Sequence, residues 1–328
     1  MPRRSTKSLI GPPPEMEPTE PGEGPGRSPI VKWTAPAILS AVPWAWFAIR
    51  DAGPAMDAVA FALPLGSTIL AIATFGLAIM SRKMRFALVS LSLVVFTAVV
   101  VVAPRLAQST PAPLEPFRLA SANTFLGNPW TFPAARTLAG ERPDVLVAVE
   151  TSQPMRVAIG LSLPDDHSAG LGTQIVFARW PVAAPRPIPG VSQATAMRVD
   201  VARPGSPFVV YAVHLPNPLY STSFSAHTAT IERLLQSAQS EHLPVILAGD
   251  FNMSDRSSSY RMLDGAMRDA MRSSFASTTY DHWAWFALQL RIDYVFLSDQ
   301  LCATDGSTFT VPGSDHDGLE VNLGACPL

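Results

Sequence analysis

The chain has 328 residues, of which 48% are hydrophobic and 15% charged, enough to bury a substantial core in one large domain or two ordinary ones. Its net charge of −2 conceals a division: residues before 115 hold 10 Lys/Arg against 6 Asp/Glu, whereas those from 115 onward hold 14 Arg, no Lys and 20 Asp/Glu. So acidic a C-terminal part argues against nonspecific binding of DNA, whose affinity grows with neutralised phosphates, although a local Arg patch could supply some of it.

Residues 1–29 open with Arg3, Arg4 and Lys7 and run through GPPPEMEPTEPGEGPGRSP, a Pro/Gly/Glu-rich stretch that cannot bury enough apolar surface to order itself. It reads as a disordered cytoplasmic tail. Three apolar segments follow within 30–105, at 30–49, 55–80 and 86–103, each near the ~20 residues that cross a bilayer core as a helix. Pro36 and Pro43 interrupt the first, which transmembrane helices tolerate better than soluble ones do. Trp33, Trp44, Trp46 and Trp130 are candidate anchors at headgroup level. Basic residues precede the first segment and join the second to the third (Arg82, Lys83, Arg85), whereas the 50–55 loop carries one Arg and one Asp. Both basic flanks are therefore expected in the cytoplasm, which places everything after the third span outside.

A Pro-rich linker, 106–116, leads to a domain at 117–328 that would sit just off the membrane. Its candidate strands are 117–123, 145–150, 174–178, 194–201, 208–215, 245–250, 292–297 and 319–323; its candidate helices are 132–140, 225–240 and 258–271. Many strands with few helices and no long βαβ series point to a layered α/β sandwich. Residues 151–172 read as a short Pro- and Gly-containing connection. Cys302 and Cys326 both lie in this domain; outside the cell they can form a disulfide, with two unpaired structural thiols as the alternative.

Polar residues recur where the apolar strands stop: Asn123 after FRLASA, Glu150 after PDVLVAV, His214 after FVVYAV, Asp250 and Asn252 in GDFN, Asp293 in RIDYVF, and Asp315 with His316 in GSDH. Each alone is an ordinary strand end or turn. Together they bring carboxylates, amides and two histidines to one region, where they must be desolvated near one another. Such a set suits phosphoester hydrolysis. A hard divalent cation takes oxygen ligands, with Glu150 the obvious one, and His316 can be oriented by Asp293.

These motifs, in order and roughly in spacing, resemble those of the endonuclease/exonuclease/phosphatase superfamily over about residues 115–324. The resemblance implies a four-layered α/β sandwich preceded by the three transmembrane helices, and cleavage of a phosphoester with Mg²⁺, or Mn²⁺ in its place. It assigns Glu150 to the metal with Asn123 and Asp315 nearby, Asp250 to the attacking water, Asn252 to phosphate, Asp293 and His316 to an acid/base pair, and His214 to a second active-site histidine.

Three spans followed by such a domain resemble the VanJ-type teicoplanin-resistance proteins. That likeness implies a cell-membrane phosphatase of the cell-wall lipid cycle, acting at the outer face on a lipid-linked pyrophosphate such as undecaprenyl pyrophosphate. The partners expected are thus the bilayer and a lipid-linked phosphate. An extracellular nuclease or a phospholipid phosphodiesterase shares the scaffold, because loops set the substrate. A catalytically silent sensor that binds a phosphorylated headgroup is the reading from another class, and the retained Asp293 and His316 speak against it. Trp283, Trp285 and Phe286 are a candidate apolar rim for a lipid, or an ordinary core segment.

Overall fold

The computed structural model describes residues 29–280 and 290–327. The candidate rim at Trp283, Trp285 and Phe286 and the 1–28 part of the tail lie outside the described residues.

The apolar N-terminal segments form helices α1 (Pro29–Ile49), α2 (Pro54–Ser81) and α3 (Met84–Val102). Arg82 takes a left-handed conformation (φ 50°) and turns α2 directly into α3. Trp46 packs with Ala60, Phe96 and Val100 where the three helices meet, so this tryptophan belongs to the bundle interior and not to a headgroup belt. Ser67 and Thr97 share a hydrogen bond of 2.7 Å, and Ser90 donates to the Ala71 carbonyl. Outward-facing Val42, Ile69, Ile72 and Ile79 are more than half exposed, an apolar surface that water would penalise. Two helical stretches, Ala55–Ser81 and Met84–Arg105, are long and apolar enough to cross a membrane; the apolar stretch Trp33–Ile49 is shorter.

The rest builds two facing sheets. One contains β1 (Leu114–Asn123), β2 (Val145–Val149), β3 (His167–Leu171), β4 (Gln174–Ala178), β10 (Leu301–Thr310) and β11 (Asp317–Ala325), in the order β10-β11-β1-β2-β4-β3. The other contains β5 (Ala196–Val201), β6 (Phe208–His214), β7 (Val245–Asp250), β8 (Arg268–Asp269) and β9 (Asp293–Leu297), in the order β5-β6-β7-β9-β8. Between them lies a core that includes Leu119, Val147, Val176, Val210, Ile246 and Val321. Helices α4 (Thr131–Gly140) and α5 (Gln153–Ser162) cover the outer face of the first sheet through Ala135, Leu138, Met155 and Ile159. Helices α6 (Phe224–Gln239) and α7 (Ser258–Ala266) cover the second through Ile231, Leu234, Tyr260 and Leu263. The layers run helix, sheet, sheet, helix, as expected for the sandwich.

Several local expectations change. Residues 151–172 hold α5 and β3: Ser152 caps the helix by accepting from the Met155 amide, and a proline in the first turn costs no hydrogen bond there. The expected 258–271 helix stops at Ala266, after which Arg268–Asp269 pair with β9 and a short 3₁₀ turn follows. Strand β10 had no counterpart in the reading; its Asp305-Gly306 step looks like a turn but is a break in register within a strand, with Asp305 at φ 58°. Cys302 and Cys326 are disulfide-bonded, joining the start of β10 to the residue after β11.

Helices and sandwich meet in a polar junction. Asp57, in the first turn of α2 and 3% exposed, accepts from the Ser258 amide (2.7 Å) and hydroxyl (2.8 Å) at the start of α7. Buried Arg256 donates to the Ala60 carbonyl, and Arg105 pairs with Asp255 at 2.8 Å. The segment read as a tether is itself held along the domain: the Gln108 amide donates to the Arg272 carbonyl and the Thr110 hydroxyl to that of Ala303.

Candidate active site

Parallel pairing decides where the site forms. β1 runs parallel to β2 and β6 parallel to β7, so each pair ends at the same edge. Asn123 closes β1 and Glu150 follows β2; His214 and Asp250 are register partners at the ends of β6 and β7. Asp293 opens β9 directly opposite Asp250. His316 immediately precedes β11, on the sheet that carries Asn123. Each sheet thus contributes part of the constellation, and all eight residues named from the sequence lie at this end.

The local backbone is shaped for the purpose. Glu150 (φ 51°) and Asn252 (φ 46°) both sit in the left-handed region, an unfavourable conformation for such residues that aims their side chains off the strand ends. Gly249 is required for a different reason: at φ 134°, a Cβ there would stand 2.1 Å from the Val213 carbonyl oxygen of β6. That close approach seats Asp250 beside His214.

Glu150 Oε1 accepts from Asn123 Nδ2 (3.0 Å) and lies 3.1 Å from His214 Nε2, while Oε2 accepts from the Leu126 amide. Burial by itself would raise the Glu150 pKa, but the hydrogen bonds from His214 and Asn123 outweigh it and hold the group at about 2. Burial works against charge on His214 too, yet Glu150 and Asp250 together raise its pKa. Asp250 is 1% exposed. Its burial and the facing Asp293 push it up to about 6, against the pull of His316 and His214. His316 Nδ1 donates to Asp293 Oδ2 at 2.9 Å, which fixes the ring's orientation and leaves Nε2 directed toward Asp250 Oδ2, 3.9 Å away. Burial disfavours the imidazolium, but Asp293 and Asp250 overcome it and raise His316 to about 10.

The amides are less free than their expected roles suggest. Asn123 bridges Glu150 and Asp250 through Nδ2, and its Oδ1 accepts from the Phe125 amide. Asn252 spends Nδ2 on the Leu215 carbonyl and Asp250 Oδ2, and its Oδ1 accepts from Asn217. Asp315 lines the pocket but lies outside the two tight donor groups found among the described residues: Glu150, His214 and Asp250; and Asp250, Asp293 and His316. The first group offers two carboxylates and an imidazole, with Glu150 anionic at neutral pH, and the carboxylate oxygens fit a hard divalent cation, while Asn123 presents its nitrogen to them and is a support, not a ligand, in this arrangement.

Three supporting residues escaped the sequence reading. His227 of α6 is buried and its Nε2 donates to the Phe251 carbonyl at 2.8 Å, gripping the backbone between Asp250 and Asn252. Thr279 Oγ1 accepts from the Ile292 and Asp293 amides, fixing the start of β9. Asn217 orients Asn252. None carries a local signal, because each acts across a long sequence separation. The motif residues that are not at the site also find places: Arg291 is buried on Asp269 and over the Tyr294 ring, and Asp144 caps the far end of β2 by accepting from the Arg118 amide. Ser314 ties His316 to β1, donating to the Asn123 carbonyl and accepting from the His316 amide.

These groups surround a pocket of about 320 Å³ whose floor holds Glu150, His214, Asp250 and His316. Sandwich and pocket together define a class, the phosphoesterases that work with a divalent metal. The chain belongs to the endonuclease/exonuclease/phosphatase family, whose model matches residues 120–316, and it is a phosphoester-hydrolysing enzyme. Among solved structures, a family member from Bacteroides vulgatus is 17% identical, with a TM-score of 0.55 over 65% of this chain and 100% of its own. The human Nocturnin catalytic domain (16% identity, TM-score 0.50) covers 65% of this chain and 96% of its own. A mannosyl-6-phosphatase from Bacteroides thetaiotaomicron (16% identity, TM-score 0.50) covers 63% of this chain and 99% of its own. At these identities the likeness concerns the fold. No curated protein sequence matches the chain.

Proposed function

We propose that the protein is a membrane-anchored, Mg²⁺-dependent phosphatase of VanJ type that hydrolyses a lipid-linked pyrophosphate, such as undecaprenyl pyrophosphate, at the outer face of the membrane. The observation that carries this reading is Phe61: a residue of α2, a helix long and apolar enough to span a bilayer, forms part of the pocket wall that contains Glu150 and His316. A soluble polymer has no use for such a neighbour, whereas a phosphate presented from a bilayer must approach along one. The Arg82, Lys83 and Arg85 turn lies at the end of α2 remote from the sandwich, in keeping with three spans, a cytoplasmic N-terminus and an external catalytic domain. The Cys302–Cys326 bond suits an oxidising compartment.

In this reading Glu150 holds the metal, with Asn123 and Asp315 in its surroundings, and the bound Mg²⁺ supplies charge neutralisation at the phosphoryl oxygens. Asp250, whose pKa burial and Asp293 raise to about 6, is ionised at neutral pH yet more basic than an ordinary carboxylate, and it orients the attacking water and accepts its proton. His316, cationic through Asp293, faces the developing negative charge with Nε2. His214, whose Nε2 lies 3.9 Å from Asp250 Oδ2, contacts the phosphate, and Asn252 supports both Asp250 and the phosphate-binding edge.

The test is hydrolysis by the full chain with Mg²⁺, read as inorganic phosphate from undecaprenyl pyrophosphate, as strand scission of plasmid DNA and as headgroup cleavage of a phosphodiester lipid, with Glu150→Ala as the blank. Metal-dependent release from the isoprenoid pyrophosphate alone is the expected result. Cleavage of DNA or of the diester in its place moves the protein to a nuclease or phospholipid phosphodiesterase, and silence on all three overturns the lipid-linked pyrophosphate as its substrate.

A further inference from the structure

The pocket has two unlike halves. Its floor is polar and charged, whereas its walls are Phe61, Leu290 and Ile292 on one side and the exposed Phe125, Leu219 and Tyr220 on another. Phe61 is held in place by an edge contact to Phe224 of α6, with ring centroids 5.9 Å apart. An inorganic phosphate or a sugar phosphate would leave these apolar walls wet.

Below Phe61, α2 continues along the same face. Pro64, Thr68, Ile72 and Phe75 follow it at spacings of three and four residues, which stack them on one side of a helix. Those residues form one wall of a second cavity, an apolar groove of about 770 Å³ whose other wall is α3, including Leu91, Val94, Ala98 and Val102. The groove begins one helical turn from Phe61, at Pro64 and beside Val102 where α3 gives way to the sandwich. From Pro64 to Phe75 it runs about 16 Å at the helical rise. Pocket wall and groove are therefore consecutive stretches of one helix face.

We infer that α2 is a component of the substrate site: Phe61 receives the first units of the substrate's hydrocarbon chain, and the α2–α3 groove holds the continuation of that chain within the bilayer. This assignment rests on the lipid-linked phosphate proposed above and adds which surface reads the lipid. The groove's occupant is the isoprenoid chain of the molecule whose pyrophosphate lies over Glu150, because Phe61 of the pocket wall and Pro64 of the groove stand one turn apart on the same side of α2. Chain length becomes the determinant of specificity, and the junction of α2 with the domain sets it.

The experiment compares turnover of undecaprenyl pyrophosphate with that of the short geranyl pyrophosphate by the full chain in vesicles of neutral phospholipid. Three variants are measured beside the wild type: Phe61→Ala, the groove-filling Thr68→Trp, and Val42→Trp on the outward face of α1 as the control. Thr68 is exposed, so the added ring enters the groove and not the packed interior. The long-to-short ratio of kcat/KM is expected to fall about tenfold or more in Phe61→Ala and Thr68→Trp, through KM, the effect of losing one buried aromatic or several methylene contacts. Val42→Trp is expected to keep the wild-type ratio. A wild type that prefers the long chain, with both site variants keeping its ratio, overturns the inference while leaving the proposed function standing. A wild type that ignores isoprenoid pyrophosphates overturns both, and equal falls in all three variants would show only a general sensitivity to added or lost bulk and overturn the groove.

Discussion

Asp57 gives the sharpest quantitative expectation. It is an acidic residue in an otherwise apolar helix, buried against the first turn of α7, where it accepts two short hydrogen bonds from Ser258 and a longer one (3.4 Å) from the Ser259 hydroxyl. A hydrogen bond to a charged group contributes roughly 1.5–3 kcal/mol, so the two short bonds together stabilise the junction by about 3–6 kcal/mol. A carboxylate at a helix N-terminus adds about 0.3–1 kcal/mol more. Asp57→Ala removes the acceptor and leaves the Ser258 amide buried without one. Hydrogen exchange of the Ser258 to Tyr260 amides is the direct assay, since a loss of that size accelerates local opening by about 10²- to 10⁴-fold at 1.4 kcal/mol per decade. Asp57→Asn, which keeps one acceptor oxygen, is expected to lose less. The double variant with Ser258→Ala should show a coupling energy well above zero. If Asp57→Ala exchanged at the wild-type rate across α7, the claim that this carboxylate fastens the helices to the domain would be wrong.

Other expectations follow from the site and its supports. His316→Gln should lower turnover by about 10²- to 10⁴-fold, as for loss of an acid/base group, and also lower the thermal midpoint, because Asp293 and Asp250 lose their buried cation; a folded variant with wild-type turnover would remove His316 from the chemistry. Burial, outweighing the bond to Phe251, keeps the His227 pKa below its ordinary 6.5. Its contribution to stability is therefore complete above about pH 6.5 and is lost as pH falls through the lower folded value, because only the unfolded chain readily takes the proton. His227→Gln, which can still donate to Phe251, should flatten that part of the pH–stability curve; an unchanged slope would assign it to other groups. Replacing Cys302 and Cys326 together by Ser frees a 24-residue separation and should cost about 3 kcal/mol in unfolding measured under oxidising conditions. Equal stability of that variant and the oxidised wild type would mean the bond adds nothing.

Asn123, Glu150, His214 and Asp250 were legible because each ends or follows an apolar strand, and 245–250 has the same bounds in sequence and structure; Asp293 and His316, read there as strand ends too, instead stand at the starts of β9 and β11. What escaped notice did so for identifiable reasons. β10 is mostly Thr, Ser, Asp and Gly after its first three residues, and its pairing with β11 is a tertiary preference that composition does not announce. α5 contains Pro154 and Gly160, both of which argue locally for a loop, yet the proline sits where a helix tolerates it and the apolar face of Met155, Ala158 and Ile159 has a sheet to cover. His227, Thr279 and Asn217 act on residues distant in sequence, so only the fold reveals them. Asp57 did leave a trace: an ionisable group inside an apolar span calls for a partner, and that question leads to α7.

Strand β11 lies between β10 and β1, and Phe117 near the start of the domain pairs with Leu323 near its end. His316 immediately precedes this strand, so β11 both joins β10 to β1 and brings in a histidine the pocket needs. Pairing across so great a sequence separation is a late event in folding. Insertion of β11 between β10 and β1 thus completes the sheet and the pocket together, so the capacity for hydrolysis arises only once this long-range pairing has formed.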